Sequence, residues 1–211
     1  MRIAALIYGR LTKAKEHYEN IRNALGTEHE VDFFMSSDNS PETQLQEFLE
    51  TYKPKAYTNE ALQHEVDFNQ YQPIRPEHTL KSIYYMGCHF LNKLRMLLVL
   101  ENYIQTQNVQ YDVVVSLRID LVFKNQFDFK TIEERHIYIP IGYDYVDNAV
   151  NDNVAYGTLD VMRKYCQIYI WAHFLLERKL VLNHPETLNY ANLLLHSLHI
   201  VRVELNYTFD K

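Results

Sequence analysis

The chain opens on an uninterrupted apolar run, Ile3-Ala4-Ala5-Leu6-Ile7-Tyr8, stopped by Gly9. A short apolar run bounded by glycine predicts a strand buried on both faces, as inside a parallel sheet. Residues 12–25 follow with helical periodicity, and Gly26 stands where a helix is closed. A second strand is predicted over 31–35. Ser40 as N-cap, Pro41 at the first helical position and Glu42 in the first turn then open a helix running to about Tyr52. A short strand is predicted over 53–58. The polar stretch 59–78, with Pro73 and Pro76, reads as a long loop, and such loops inside compact domains are commonly functional.

A helix over 79–106 would bury Ile83, Phe90, Leu94, Leu97 and Leu98. Residues 111–123 are the most strand-like stretch, and another strand is predicted over 137–141. An Asp- and Asn-rich loop over 143–153, helices over 159–178 and 185–196 and a strand over 200–205 complete the pattern. Strands alternating with helices predict an α/β fold: a mixed, mainly parallel sheet flanked by helices, in a single domain over 1–211. The sequence stops soon after a strand, which reads as the amino-terminal part of a longer protein.

Composition narrows the class. Apolar residues at 47% and charged residues at 23% exclude intrinsic disorder. A formal charge of −6 argues against nucleic acid or an anionic membrane as partner. The chain has 17 tyrosines and only 5 glycines, and neither G-x-G-x-x-G nor G-x-x-x-x-G-K-[ST] occurs. Tyrosines suit half-buried strands and ligand clefts alike. Cys88 and Cys166 make neither a disulfide framework nor a zinc site, so a reducing compartment is expected. Lys93, Arg95, His173 and Glu177 interrupt the longest apolar stretches, which predicts a soluble chain with no membrane span.

Candidate chemistry gathers at predicted strand ends. Ser116, Arg118 and Asp120 alternate with Leu117, Ile119 and Leu121, so on a continuous strand all three project from one face at its carboxyl end. That is where open α/β sheets bind ligands. Two readings compete: an Arg118–Asp120 ion pair at the rim, or Asp120 on a divalent metal with Arg118 facing a phosphate. Gly9-Arg10 and Lys13 form a candidate anion site at a helix start. Asp38, after the second strand, is placed to accept hydrogen bonds from a base or ribose, or to cap a turn. Lys93 sits in an apolar helix face, either snorkelling to solvent or serving as a further donor-binding cation. Asp144 and Asp152 on the 143–153 loop are candidate bases for a hydroxyl, and His184-Pro185-Glu186 reads as a rim group or a cap.

With these motifs in view the sequence resembles the GT-A type glycosyltransferases, and among them the chlorella virus enzymes that glycosylate a capsid protein. The resemblance runs through Gly9-Arg10, the segment Tyr111-Asp112-Val113-Val114-Val115-Ser116-Leu117-Arg118-Ile119-Asp120, Asn151-Asp152-Asn153 with Tyr156-Gly157, and His184-Pro185-Glu186. It implies a UDP-sugar donor, a glycan or glycoprotein acceptor, Mn²⁺ or Mg²⁺ as cofactor, and a host-cytoplasmic location if viral. Asp120 matches the last Asp of the family's Asp-x-Asp motif, whose first Asp is here Arg118. The departure removes one carboxylate and implies either weak, substrate-assisted metal binding or partial replacement of the metal by arginine. Tyr8, Gly9, Arg10, Asp38, Lys93 and Arg118 would bind the donor, and Asp152 or else Asp144 would serve as base. The 59–78 loop would form the acceptor side or a lid.

Overall fold

The structure, a computed structural model, describes residues 1–63, 67–71, 80–144, 147–179 and 183–210. In chain order its elements are β1 (Arg2–Tyr8), α1 (Ala14–Ala24), β2 (Glu30–Ser37), α2 (Glu42–Tyr52), β3 (Ala56–Asn59), α3 (Leu80–Gln107), β4 (Val113–Arg118) and β5 (Leu121–Phe123). They continue with β6 (His136–Pro140), β7 (Val154–Gly157), α4 (Leu159–Cys166), α5 (Ile168–Glu177), α6 (Pro185–Leu195), β8 (His199–Val203) and β9 (Tyr207–Phe209). Seven strands form one sheet in the order β3-β2-β1-β4-β7-β6-β8, and β5 pairs with β9 in a separate two-stranded sheet.

β1 is an interior strand, third of the seven, parallel to β2 on one side and β4 on the other. Its interior residues are fully buried, as its unbroken apolar run requires. One face packs Ile3, Ala5, Ile7 and Val115 against α1 and α2 through Ala14, Ile21, Leu45 and Phe48. The other packs Ala4, Leu6, Phe34 and Val114 against α3 and α4 through Met96, Leu97, Leu100 and Met162. A smaller cluster joins α3, α5 and α6 through Phe90, Ile168, Leu175 and Leu188.

Two features of the register build the site. Tyr8 is paired with Ser36 on one side and Arg118 on the other, so these three strands end level. β7 runs antiparallel to β4, with Leu117 opposite Val154. The residues entering β7, Asp152 and Asn153, therefore arrive where β4 finishes.

Several expectations are corrected. The 111–123 stretch is not one strand: it breaks after Arg118, and 121–123 turns away to pair with β9. Ser116 is thus buried with an unpartnered hydroxyl among the described residues, and it does not share a rim face with Asp120. Ser40 is no side-chain cap; Pro41 holds the N-cap position, and the Ser40 backbone exchanges hydrogen bonds with the Asn59 amide at 2.7 and 3.0 Å. Lys53 closes α2 in a left-handed conformation, so the third strand begins only at Ala56. Leu98 faces outward, and the helix expected over 159–178 turns at Gln167 into α4 and α5. β7 and β9 were not expected. Half of the 59–78 loop (64–66 and 72–78) and Tyr145 and Val146 of the acidic loop lie outside the described residues.

Candidate functional site

At the carboxyl ends of β1, β2 and β4 lies a cleft of about 680 Å³. Tyr8, Gly9, Arg10, Asp38, Arg118 and Asp120 all line it, as expected from their places after strands. Gly9 makes the exit from β1 possible. Its φ of 125° is poorly tolerated by other residues, and a Cβ there would meet Ile119 Cγ2 at 3.4 Å. Lys13 holds the N-cap of α1 in a left-handed conformation and faces the same cleft.

Arg118 and Asp120 form a bidentate pair, Nε to Oδ1 at 2.9 Å and Nη2 to Oδ2 at 2.6 Å. The guanidinium also stacks over Phe209, 5.0 Å from the ring centre. The rim ion pair is the reading the geometry bears out, and it bears on the metal. Both Asp120 oxygens are engaged by a cation, and among the described residues no three His, Cys, Asp or Glu side chains are grouped to hold an ion. The nearby carboxylates are committed too. Asp38 Oδ1 accepts from the Leu62 amide at 2.8 Å, and Asp210 Oδ2 lies 3.0 Å from Lys13 Nζ and 3.4 Å from His17 Nε2. These residues do not fit a divalent cation held by the protein alone.

The cleft continues past Tyr85, His89 and Arg118 into a second one of about 320 Å³, where Asp152, Asn153, Asn183 and Glu186 supply polar groups and Ile83, Met86 and Phe209 an apolar wall. Asp152 is buried with His89 Nε2 at 3.1 Å from its Oδ2, an approach lacking hydrogen-bond alignment. Its backbone carbonyl accepts from Lys93 Nζ at 2.6 Å, Tyr165 Oη at 3.0 Å and Tyr8 Oη at 3.2 Å. Burial alone would raise the Asp152 carboxyl, but His89, Lys93 and Arg118 outweigh it and hold the group well below the usual carboxylate range.

Lys93 neither snorkels nor reaches a cleft. It is fully buried, donates also to Tyr165 Oη at 2.8 Å, and burial pushes its pKa down to about 8. Desolvation likewise lowers His89. Lys93 is therefore a buried counter-charge beneath Asp152 and no donor-binding residue. Asp144 is corrected as well: it pairs with Arg202 at 2.9 Å, accepts from the Asn151 amide at 2.8 Å and lines neither cleft.

His184 and Glu186 are both buried, with Nδ1 2.6 Å from Oε2, and the His184 side chain makes no cap hydrogen bond to α6. Burial raises the Glu186 carboxyl, and the Asp152 charge raises it further against the opposing effect of His184. Sequence reasoning missed Tyr85, His89 and Asn92, which lie with Cys88 along one stripe of α3 facing the first cleft. Their spacing of i, i+3, i+4 and i+7 is a single helix face, and that was the available signal. Phe209 and Asp210 were missed because β9 was.

No protein-family model matches the chain, and no curated protein matches it. Among solved structures it is similar to the galactosyltransferase LgtC, determined in complex with donor and acceptor sugar analogues, with a TM-score of 0.53 and 12% identity. The match covers 95% of this chain and 73% of that one. The chain thus has the GT-A-like fold, a mainly parallel seven-stranded sheet flanked by helices. No helix among the described residues is long and apolar enough to cross a membrane.

Proposed function

We propose that this chain is a glycosyltransferase that moves a sugar from a UDP-sugar, such as UDP-glucose or UDP-rhamnose, to a hydroxyl of a glycan or glycoprotein. A viral capsid protein is the acceptor that the sequence resemblance favours. The observation carrying the proposal is the junction of the two clefts at Arg118: cationic groups and a strand-end turn on one side, two buried carboxylates on the other. In this reading uridine lies over Tyr8, Gly9 and Asp38, and the diphosphate meets Arg118, Arg10 and Lys13. Fixed cations aimed at the leaving diphosphate stabilise the charge that grows there, commonly a leading contribution to enzymatic rate enhancement. Arginine suits the task because its planar fork gives phosphate two parallel hydrogen bonds.

The donor set argues for arginine rather than a protein-held metal at this position. UDP is therefore expected to bind in chelator with an affinity within about tenfold of that in Mn²⁺, as measured by calorimetry. A much larger metal enhancement would return Asp120 to the role of ligand. A nucleotide-sugar or glycan-binding module without catalysis would share both clefts, and the fully engaged Asp120 favours that second reading. Sustained release of UDP from a UDP-sugar excludes it.

A further inference from the structure

We propose that Glu186, held by His184, is the catalytic residue that takes the proton of the acceptor hydroxyl, while Asp152 across the second cleft stays a fixed negative charge. The inference rests on the glycosyltransferase reading and moves the role of base from Asp152, the first candidate in the sequence, to Glu186, which the sequence offers only as a rim group or cap. Both line the second cleft, which opens to the first at Arg118, so a sugar bound across the junction has its leaving phosphate on one side and these carboxylates on the other.

Their surroundings differ. Asp152 has His89 against its carboxylate, Lys93 on its carbonyl and Arg118 close by. A carboxylate stabilised by the Lys93 and Arg118 cations is a weak proton acceptor. Among the described residues Glu186 lies against the His184 imidazole, on the same turn; Lys93 from α3 and Asp152 from the β7 approach act on it from further off. Its main chain is fixed, since the Glu186 carbonyl accepts from the Val150 amide at 3.2 Å, and Pro185 starts the helix rigidly. Burial and the Asp152 charge move Glu186 towards the working range of a base.

The step balances without a further reactant. The acceptor O–H proton passes to a Glu186 carboxylate oxygen as the acceptor oxygen bonds to the anomeric carbon. The bond from that carbon to the donor phosphate oxygen breaks, and its electron pair leaves with UDP. His184 is a positioning residue that fixes the carboxylate and keeps it from becoming too basic.

The test uses the wild-type chain, Glu186→Gln, Asp152→Asn and His184→Asn, with UDP-glucose and UDP-rhamnose as donors. UDP release is followed with methyl glycosides as hydroxyl acceptors and with azide, a nucleophile that has no proton to lose. Glu186→Gln is expected to lose about 100-fold or more of transfer to hydroxyls, the usual worth of a general base, while UDP affinity and glycosyl azide formation stay within about threefold. Asp152→Asn is expected to lose both reactions together, as an electrostatic group would. His184→Asn should move the acidic limb of the wild-type pH–rate profile to higher pH without altering UDP affinity. Hydroxyl transfer by Glu186→Gln within tenfold of wild type overturns the assignment, as does equal loss of hydroxyl and azide transfer. A wild-type chain that binds UDP but releases none from either donor with either nucleophile overturns the transferase reading itself.

Discussion

Lys93 is an ammonium with no access to solvent, and its hydrogen-bond acceptors are a carbonyl and a phenol. Its cost of burial has a measurable sign. The folded group titrates at about 8 and the unfolded one near 10.5, so between those values the unfolded chain binds more protons and folding stability rises with pH. Tyr8 and Tyr165, whose buried hydroxyls are pushed well above 10.0, oppose the trend once pH passes the unfolded tyrosine value. Cys166, whose buried thiol is pushed up from 9.0 to about 12, opposes the trend from about pH 9, so chemical denaturation is expected to show a gain on the order of 1 kcal/mol between pH 8 and 9, at most about 1.4 kcal/mol per unit. Lys93→Met should abolish that gain. At the junction, Arg118→Ala should weaken UDP binding by about 10- to 100-fold in calorimetry, the worth of charge-assisted hydrogen bonds, and leave thermal stability nearly unchanged because the Arg118–Asp120 pair is part-exposed. Unchanged UDP affinity would send the diphosphate elsewhere.

At the scale of elements, the β1 exit is the most constrained turn of the site. Gly9→Ala forces a Cβ into a positive-φ residue, which costs about 1–2 kcal/mol. The expected result is a melting temperature lower by roughly 2–8 °C and a weaker UDP titration. β1, β2, β4 and α1 to α3 were legible because long runs with clear periods report burial directly. β7 was not: its four residues are buried on every side, too short for any period to register. β9 was hidden by its three-residue length alone, and with it Phe209 and Asp210. Arg10, Asp38 and Arg118 could be placed at the rim because each follows or ends a strand that its apolar run already marks. Asp144 was misread because its partner Arg202 is 58 residues away, a pairing no local pattern encodes.

Taken whole, the first cleft carries Arg10, Lys13 and Arg118 against Asp38, Asp120 and Asp210, so its formal charges balance before any ligand arrives. A diphosphate must compete with internal carboxylates for Lys13 and Arg118. Asp210→Asn should then tighten UDP several-fold by freeing Lys13, with no change in fold, as read by calorimetry and circular dichroism. Weaker binding in that variant would mean that Asp210 holds Lys13 in place for the phosphate.

The position of β1 between β2 and β4 has a kinetic consequence. Its β2 neighbour follows within a few turns of chain, but its β4 neighbour lies across a contact 110 residues apart, from the Arg2 amide to Asp112. Closing so long a loop is slow relative to local pairing. During refolding the β1–β2 unit should form early and wait with the edge of Arg2–Tyr8 bare, an apolar template for a second chain. Refolding yield should accordingly fall as protein concentration rises, even though the finished sheet keeps that edge covered.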